Sequence, residues 1–139
     1  MSTGIDEFIV TRIYSDSEGE SHFEDLGIPL KSREEIGYLS ENMKATSVRF
    51  RNVVPGYDYD FHNAPKRQLI FLLDGLIQIE TSLGKIRKFS AGDVLLVEDT
   101  SGKGHRTKNL TPVKRKSAFI EIPEDLDITA FKAGSSTPA

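Results

Sequence analysis

The feature that most restricts this chain is a period of two. From residue 7 to residue 122 short segments alternate apolar or β-branched residues with polar ones, and Gly, Pro, Asn or Asp clusters separate them. Successive side chains of a strand point to opposite faces, so this pattern specifies half-buried strands. The expected strands are residues 7–14, 21–26, 46–54, 67–73, 76–81, 86–89, 93–97, 105–109 and 114–122, with a weak one at 37–43 and a single helical turn at 32–36. Asp74-Gly75 between two such runs predicts a hairpin. About ten strands with no crossover helices exclude a parallel-sheet fold and specify an all-β double-sheet sandwich or barrel.

The run 69–73 (Leu-Ile-Phe-Leu-Leu) is apolar on both faces, so both must be covered. One cover is the core. The other is an N-terminal strand of the same chain or the same sheet of a second subunit, and the expectation is a homodimer. The division that follows is residues 1–45 as N-terminal strands on the barrel or a dimer partner, 46–123 as the barrel core, and 124–139 as a C-terminal extension. Its end, residues 133–139, has the small-residue composition of a disordered tail.

At 139 residues the chain makes one domain with a sustainable core. There is no cysteine, so thiolate metal sites, disulfides and a cysteine nucleophile are excluded. A net charge of −3 gives no nucleic-acid footprint. No apolar run approaches the roughly 20 residues of a membrane helix, and the first residues carry Asp6 and Glu7 instead of the basic start of a secretory signal. The expected setting is cytoplasmic, without membrane or nucleic-acid partners. Gly102-Lys103-Gly104 lacks the spacing of a phosphate loop, and there is no Gly-x-Ser-x-Gly elbow.

Only three histidines are present, His22, His62 and His105. His62 follows Gly56 and is followed by Ala64, Gln68 and Gly75; His105 follows Gly102 and precedes Asn109. This order and spacing resemble the two motifs of the cupin family. The first runs Gly, five residues, His-x-His, three or four residues, Glu, six residues, Gly; the second ends Gly-x-x-His-x-x-x-Asn. Gly56, His62 and Gly75 match the first motif, but Ala64 stands for its second histidine and Gln68 for its glutamate. Gly102, His105 and Asn109 match the second, with Thr100 at its usual proline and Gly92-Asp93 two residues farther out than is typical. The motifs span residues 56–109, over a third of the chain.

The resemblance implies a jelly-roll (double-stranded β-helix) barrel with a small organic ligand in a central cavity and a divalent metal, iron, zinc, manganese or nickel, on His62, Gln68 and His105. Two imidazoles and an amide are a weakened donor set. The alternative is a metal-free isomerase or epimerase in which His62 is the general base and Tyr57 or Tyr59 returns the proton, since an imidazole titrates in the useful range. A third possibility is a non-catalytic binding module. Around this core, Arg49 and Arg51 share a face that is either an anion-binding wall or solvated. Arg67 is expected as a surface charge, Lys114-Arg115-Lys116 as an exposed edge, and His22 as a surface or interface residue. Glu98 or Asp99 is a candidate to orient His105, although the ordinary fate of such carboxylates is the surface.

Overall fold

The computed structural model describes residues 5–127; the tail at 133–139 lies outside the described residues. Eleven strands run in the order β1 (Ile5–Ser15), β2 (Ser21–Ser32), β3 (Tyr38–Leu39), β4 (Ser47–Val53), β5 (Asp58–His62), β6 (Gln68–Leu72), β7 (Leu76–Thr81), β8 (Ile86–Ser90), β9 (Val94–Val97), β10 (His105–Asn109) and β11 (Arg115–Glu121). They form two facing sheets, a seven-stranded one ordered β3-β2-β1-β9-β6-β11-β4 and a four-stranded one ordered β5-β10-β7-β8. The all-β double-sheet architecture expected from the alternation is present, and it agrees with the jelly roll that the resemblance implies. A single 3-10 turn, Glu34–Ile36, interrupts the strands where one helical turn is expected. Among the described residues no helix is long and apolar enough to cross a membrane.

The doubly apolar run decides the layering. Ile70 and Leu72 face inward with Ile13, Ile77, Ile79, Phe89, Leu95 and Val97. Leu69 and Phe71 face the other way and pack with Val10, Leu26, Ile28, Val94 and Leu96, aided by Met43 and Leu126. Part of the second cover therefore comes from the same chain, because β1 joins β9 in parallel and carries β2 along the same sheet. Each such side chain removed from water contributes about 1.5–3 kcal/mol.

Four sequence expectations need correction. Residues 67–73 and 76–81 do not form a hairpin: β6 pairs with β9 and β11, whereas β7 pairs with β10 and β8. The Asp74-Gly75 turn carries the chain from one sheet to the other, and Asp74 Oδ1 accepts the Lys116 N–H at 2.6 Å, fixing that corner to β11. Arg115 is not on an exposed edge, because β11 lies between β6 and β4, and Arg115 is only 3% exposed. Arg67 is not a solvated charge either. It donates to Glu98 and to the carbonyls of Pro123, Glu124 and Leu126, and so clamps the chain that leaves β11. Glu98 also accepts from Arg12 at 2.5 Å, which ties β1 to the same point. Strand β2 runs on to Ser32 through Pro29, beyond the expected residue 26. Proline is tolerated there because β3 joins β2 only at Lys31 and Ser32.

The two motif histidines depend on one close approach. Gly104 has φ +73°, and a Cβ there would overlap the His62 carbonyl. Gly84, at φ +87°, faces open space. Gly84→Ala should therefore cost only left-handed strain, about 1–2 kcal/mol, whereas Gly104→Ala should cost more than about 4 kcal/mol by forcing β5 and β10 apart. Urea unfolding of both variants checks this, and equal losses would contradict it.

Candidate functional site

Between the sheets lies a cavity of about 350 Å³, at the small end of ligand pockets. Tyr57, His62, Gln68 and His105 all line it, as does Ala64, so the residues singled out in the sequence share one chamber. The four-stranded sheet supplies the imidazoles. His105 pairs directly with His62 across β10 and β5, and the two ring centroids are 4.6 Å apart at 54°. Tyr59 stacks on His62 at 4.1 Å and 22°, and Tyr57 meets Tyr59 edge-on at 6.0 Å. A continuous aromatic row thus leads from Tyr57 to His105.

Each imidazole is held at Nδ1. His105 Nδ1 donates to Asp99 Oδ2 at 2.5 Å, and Asp99 is completely buried. His62 Nδ1 donates to the Asp60 carbonyl at 2.8 Å. With Nδ1 occupied in both, Nε2 is the ring nitrogen left for a ligand. Burial pushes the His62 pKa below its ordinary value; the Asp60 carbonyl works against that shift and neighbouring His105 adds to it. His62 is therefore neutral at pH 7. The loop that carries Asp99 is tied to the end of β5: its carbonyl accepts the Ala64 N–H at 3.1 Å and the Asn63 side-chain amide at 3.2 Å.

The seven-stranded sheet supplies the opposite character. Arg49 and Arg51 on β4 and Arg115 on β11 line the same cavity, with Gln68 and Phe119. Arg49 and Arg51 thus belong to a cavity wall. The Arg51 guanidinium lies 4.9 Å from the Tyr57 ring centroid and 5.4 Å from that of Phe119. Arg115 is buried, and its Nε has no hydrogen-bond partner. Burial, reinforced by Arg51, lowers its pKa.

A resident divalent ion fits this chamber poorly. His62, Gln68 and His105 offer two imidazole Nε2 atoms and an amide, no carboxylate lines the cavity, and three guanidiniums share it. Among the described residues no group of three or more His, Cys, Asp or Glu is placed to hold a metal ion. Cation affinity needs anionic or multiple imidazole donors, and nearby cations oppose it.

Of the two carboxylates that are candidates to orient His105, Asp99 does so and Glu98 turns to Arg12 and Arg67. Arg115 escapes the sequence reading. Arg115 sits in a basic triplet, yet it alternates with Ser117 and Phe119, and that inward face was the available signal. His22 is not part of the site. Its Nε2 pairs with Asp16 at 2.7 Å, and its ring lies 5.5 Å from Tyr14.

No family model and no curated protein matches the sequence. Among solved structures, ToxT from Vibrio cholerae is similar at 11% identity and TM-score 0.50 over 58% of this chain, which spans about a third (32%) of that protein. A predicted oxalate decarboxylase of Thermotoga maritima aligns at 20% identity and TM-score 0.44, covering 83% of this chain and 94% of the other. The CENP-C cupin domain of Drosophila melanogaster aligns at 12% identity and TM-score 0.41, covering 87% and 82%. At such identities likeness bears on the fold alone. With two facing sheets, both motif histidines on adjacent strands of the smaller one, and a cavity between, the chain has a cupin-like fold.

Proposed function

We propose that this small cupin binds a small organic molecule in the barrel and moves a proton on it without a resident metal. The buried Asp99–His105 contact beside the cavity carries this reading. A proton taken up at His105 Nε2 leaves an imidazolium in direct contact with the Asp99 carboxylate. The same proton on His62 would face only a carbonyl at Nδ1, in a ring that burial already keeps neutral. His105 is thus the better placed acceptor, and His62 the neutral partner that fixes the ligand through Nε2. Tyr57, on the same cavity, is the hydroxyl that can return a proton from another direction. The reaction class is proton abstraction next to a carbonyl, and a positioned base contributes about 10²–10⁴-fold to such a step.

Solvent deuterium exchange tests this. Incubation of pyruvate, oxaloacetate and 2-oxoglutarate with the protein in D2O, followed by proton NMR, should show exchange at the carbon beside the ketone above buffer. His105→Asn should lose at least a hundredfold of that rate and Asp99→Asn at least tenfold. Exchange that persists unchanged in both variants would overturn the assignment.

The metal reading has its own test. Restoring the missing donors with Ala64→His and Gln68→Glu together should raise zinc affinity at least a hundredfold over the parent, about 2.8 kcal/mol. No gain in a competition titration would mean that these positions cannot converge on one ion.

We also propose a homodimer through the outer face of the larger sheet, where Phe8, Val48 and Phe50 remain 46%, 57% and 81% exposed. Light scattering at low micromolar concentration should give twice the chain mass. A monomer mass would mean that the cover from the same chain suffices.

A further inference from the structure

The cavity holds positive charge that nothing in it balances. Arg49, Arg51 and Arg115 line it, no Asp or Glu does, and none of the three forms an ion pair among the described residues. Arg115 is the decisive member. It is 3% exposed, it sits on a central strand of the larger sheet, and its Nε is buried with no acceptor. Asp74, outside the cavity, makes no ion pair with Arg115, and its Oδ1 accepts the Lys116 amide N–H. An unpaired buried guanidinium costs several kcal/mol, and a second one facing the same space adds repulsion. A site that keeps both gains from an anion that brings acceptors to them, since guanidinium forks match carboxylate and phosphate oxygens.

We infer that Arg115 and Arg51 form a subsite for a doubly negative oxyanion, so that the ligand of this barrel is a small organic dianion. The inference rests on the proposed ligand-binding role of the cavity and names its ligand class. The geometry divides the ligand. Its acid oxygens lie on the arginine wall of the larger sheet, where Arg51 lies against the Tyr57 and Phe119 rings. Its uncharged, proton-bearing part lies toward the imidazoles of the smaller sheet, whose Nε2 atoms accept and do not donate when neutral. A cavity of about 350 Å³ suits a compact dicarboxylate or a small phosphate compound, not a nucleotide sugar.

Calorimetric titration at constant ionic strength tests this with succinate and inorganic phosphate as the dianions, acetate as the monoanion and succinamide as the neutral control. Either dianion should bind at least tenfold more tightly than acetate, and succinamide should not bind. The response to succinate against phosphate separates a dicarboxylate from a phosphate ligand. Arg115→Met keeps the aliphatic stem and removes the charge. It should weaken dianion binding at least tenfold while raising the melting midpoint of the ligand-free protein by about 3 °C or more. Arg51→Gln, at a half-buried position, should weaken binding without a fall in that midpoint. Dianions that bind no better than succinamide, or that bind both variants as tightly as the parent, would overturn the inference. A lower ligand-free midpoint in Arg115→Met would assign Arg115 a structural role and overturn it as well. Dianion binding without deuterium exchange would overturn the proton-transfer reading and leave the subsite standing. Exchange of neutral ketones as fast as of dianionic ones, unaffected by Arg115→Met, would do the reverse.

Discussion

A carboxylate sealed from water tolerates its charge only beside a donor, and Asp99 finds that donor in His105. The rest of the site is arranged around this contact. Holding Asp99 inside draws its loop onto the end of β5, where the Asp99 carbonyl accepts from Ala64 and Asn63. The loop then returns through Gly104, whose missing side chain lets it lie against the His62 backbone. His62 and His105 come to face each other because of that closure, and the tautomer of His105 is fixed by the same bond.

The two sheets divide the chemistry. The smaller sheet offers imidazole nitrogens and aromatic faces, and the larger one offers guanidiniums on β4 and β11. A metal-binding barrel needs several imidazole or carboxylate donors aimed at one point, and here the motif positions of one histidine and one glutamate hold Ala64 and Gln68 while cations occupy the far wall. The altered motif and the arginine wall are consistent with each other. With Gln68 where the cupin motif has a glutamate, no carboxylate lines the cavity that Arg51 and Arg115 share.

Much of the fold was legible because alternation is a local signal. The run 69–73 announced two covered faces, and Leu69 and Phe71 do pack outward against β1, β2 and Met43. The Asp74-Gly75 turn was misread because a turn signal specifies a reversal, not the sheet in which the next strand will pair. Arg67 and Arg115 were misread for a related reason. Whether a charged residue is solvated depends on segments distant in sequence, such as residues 123–126 over Arg67 and β4 beside Arg115. At the site, motif spacing placed His62, Gln68 and His105 on one cavity, but Asp99 could not be chosen over Glu98. Both precede the same loop. Glu98 turns to Arg12 and Arg67, and Asp99 turns inward to His105.

The most direct test is the nitrogen-15 spectrum of the imidazole rings at neutral pH. His105 should carry its proton on Nδ1 with Nε2 bare and give a low-field Nδ1–H resonance from the short bond to Asp99 that is lost in Asp99→Asn. A His105 ring protonated at Nε2 with Nδ1 bare, or a spectrum indifferent to Asp99→Asn, would contradict this assignment.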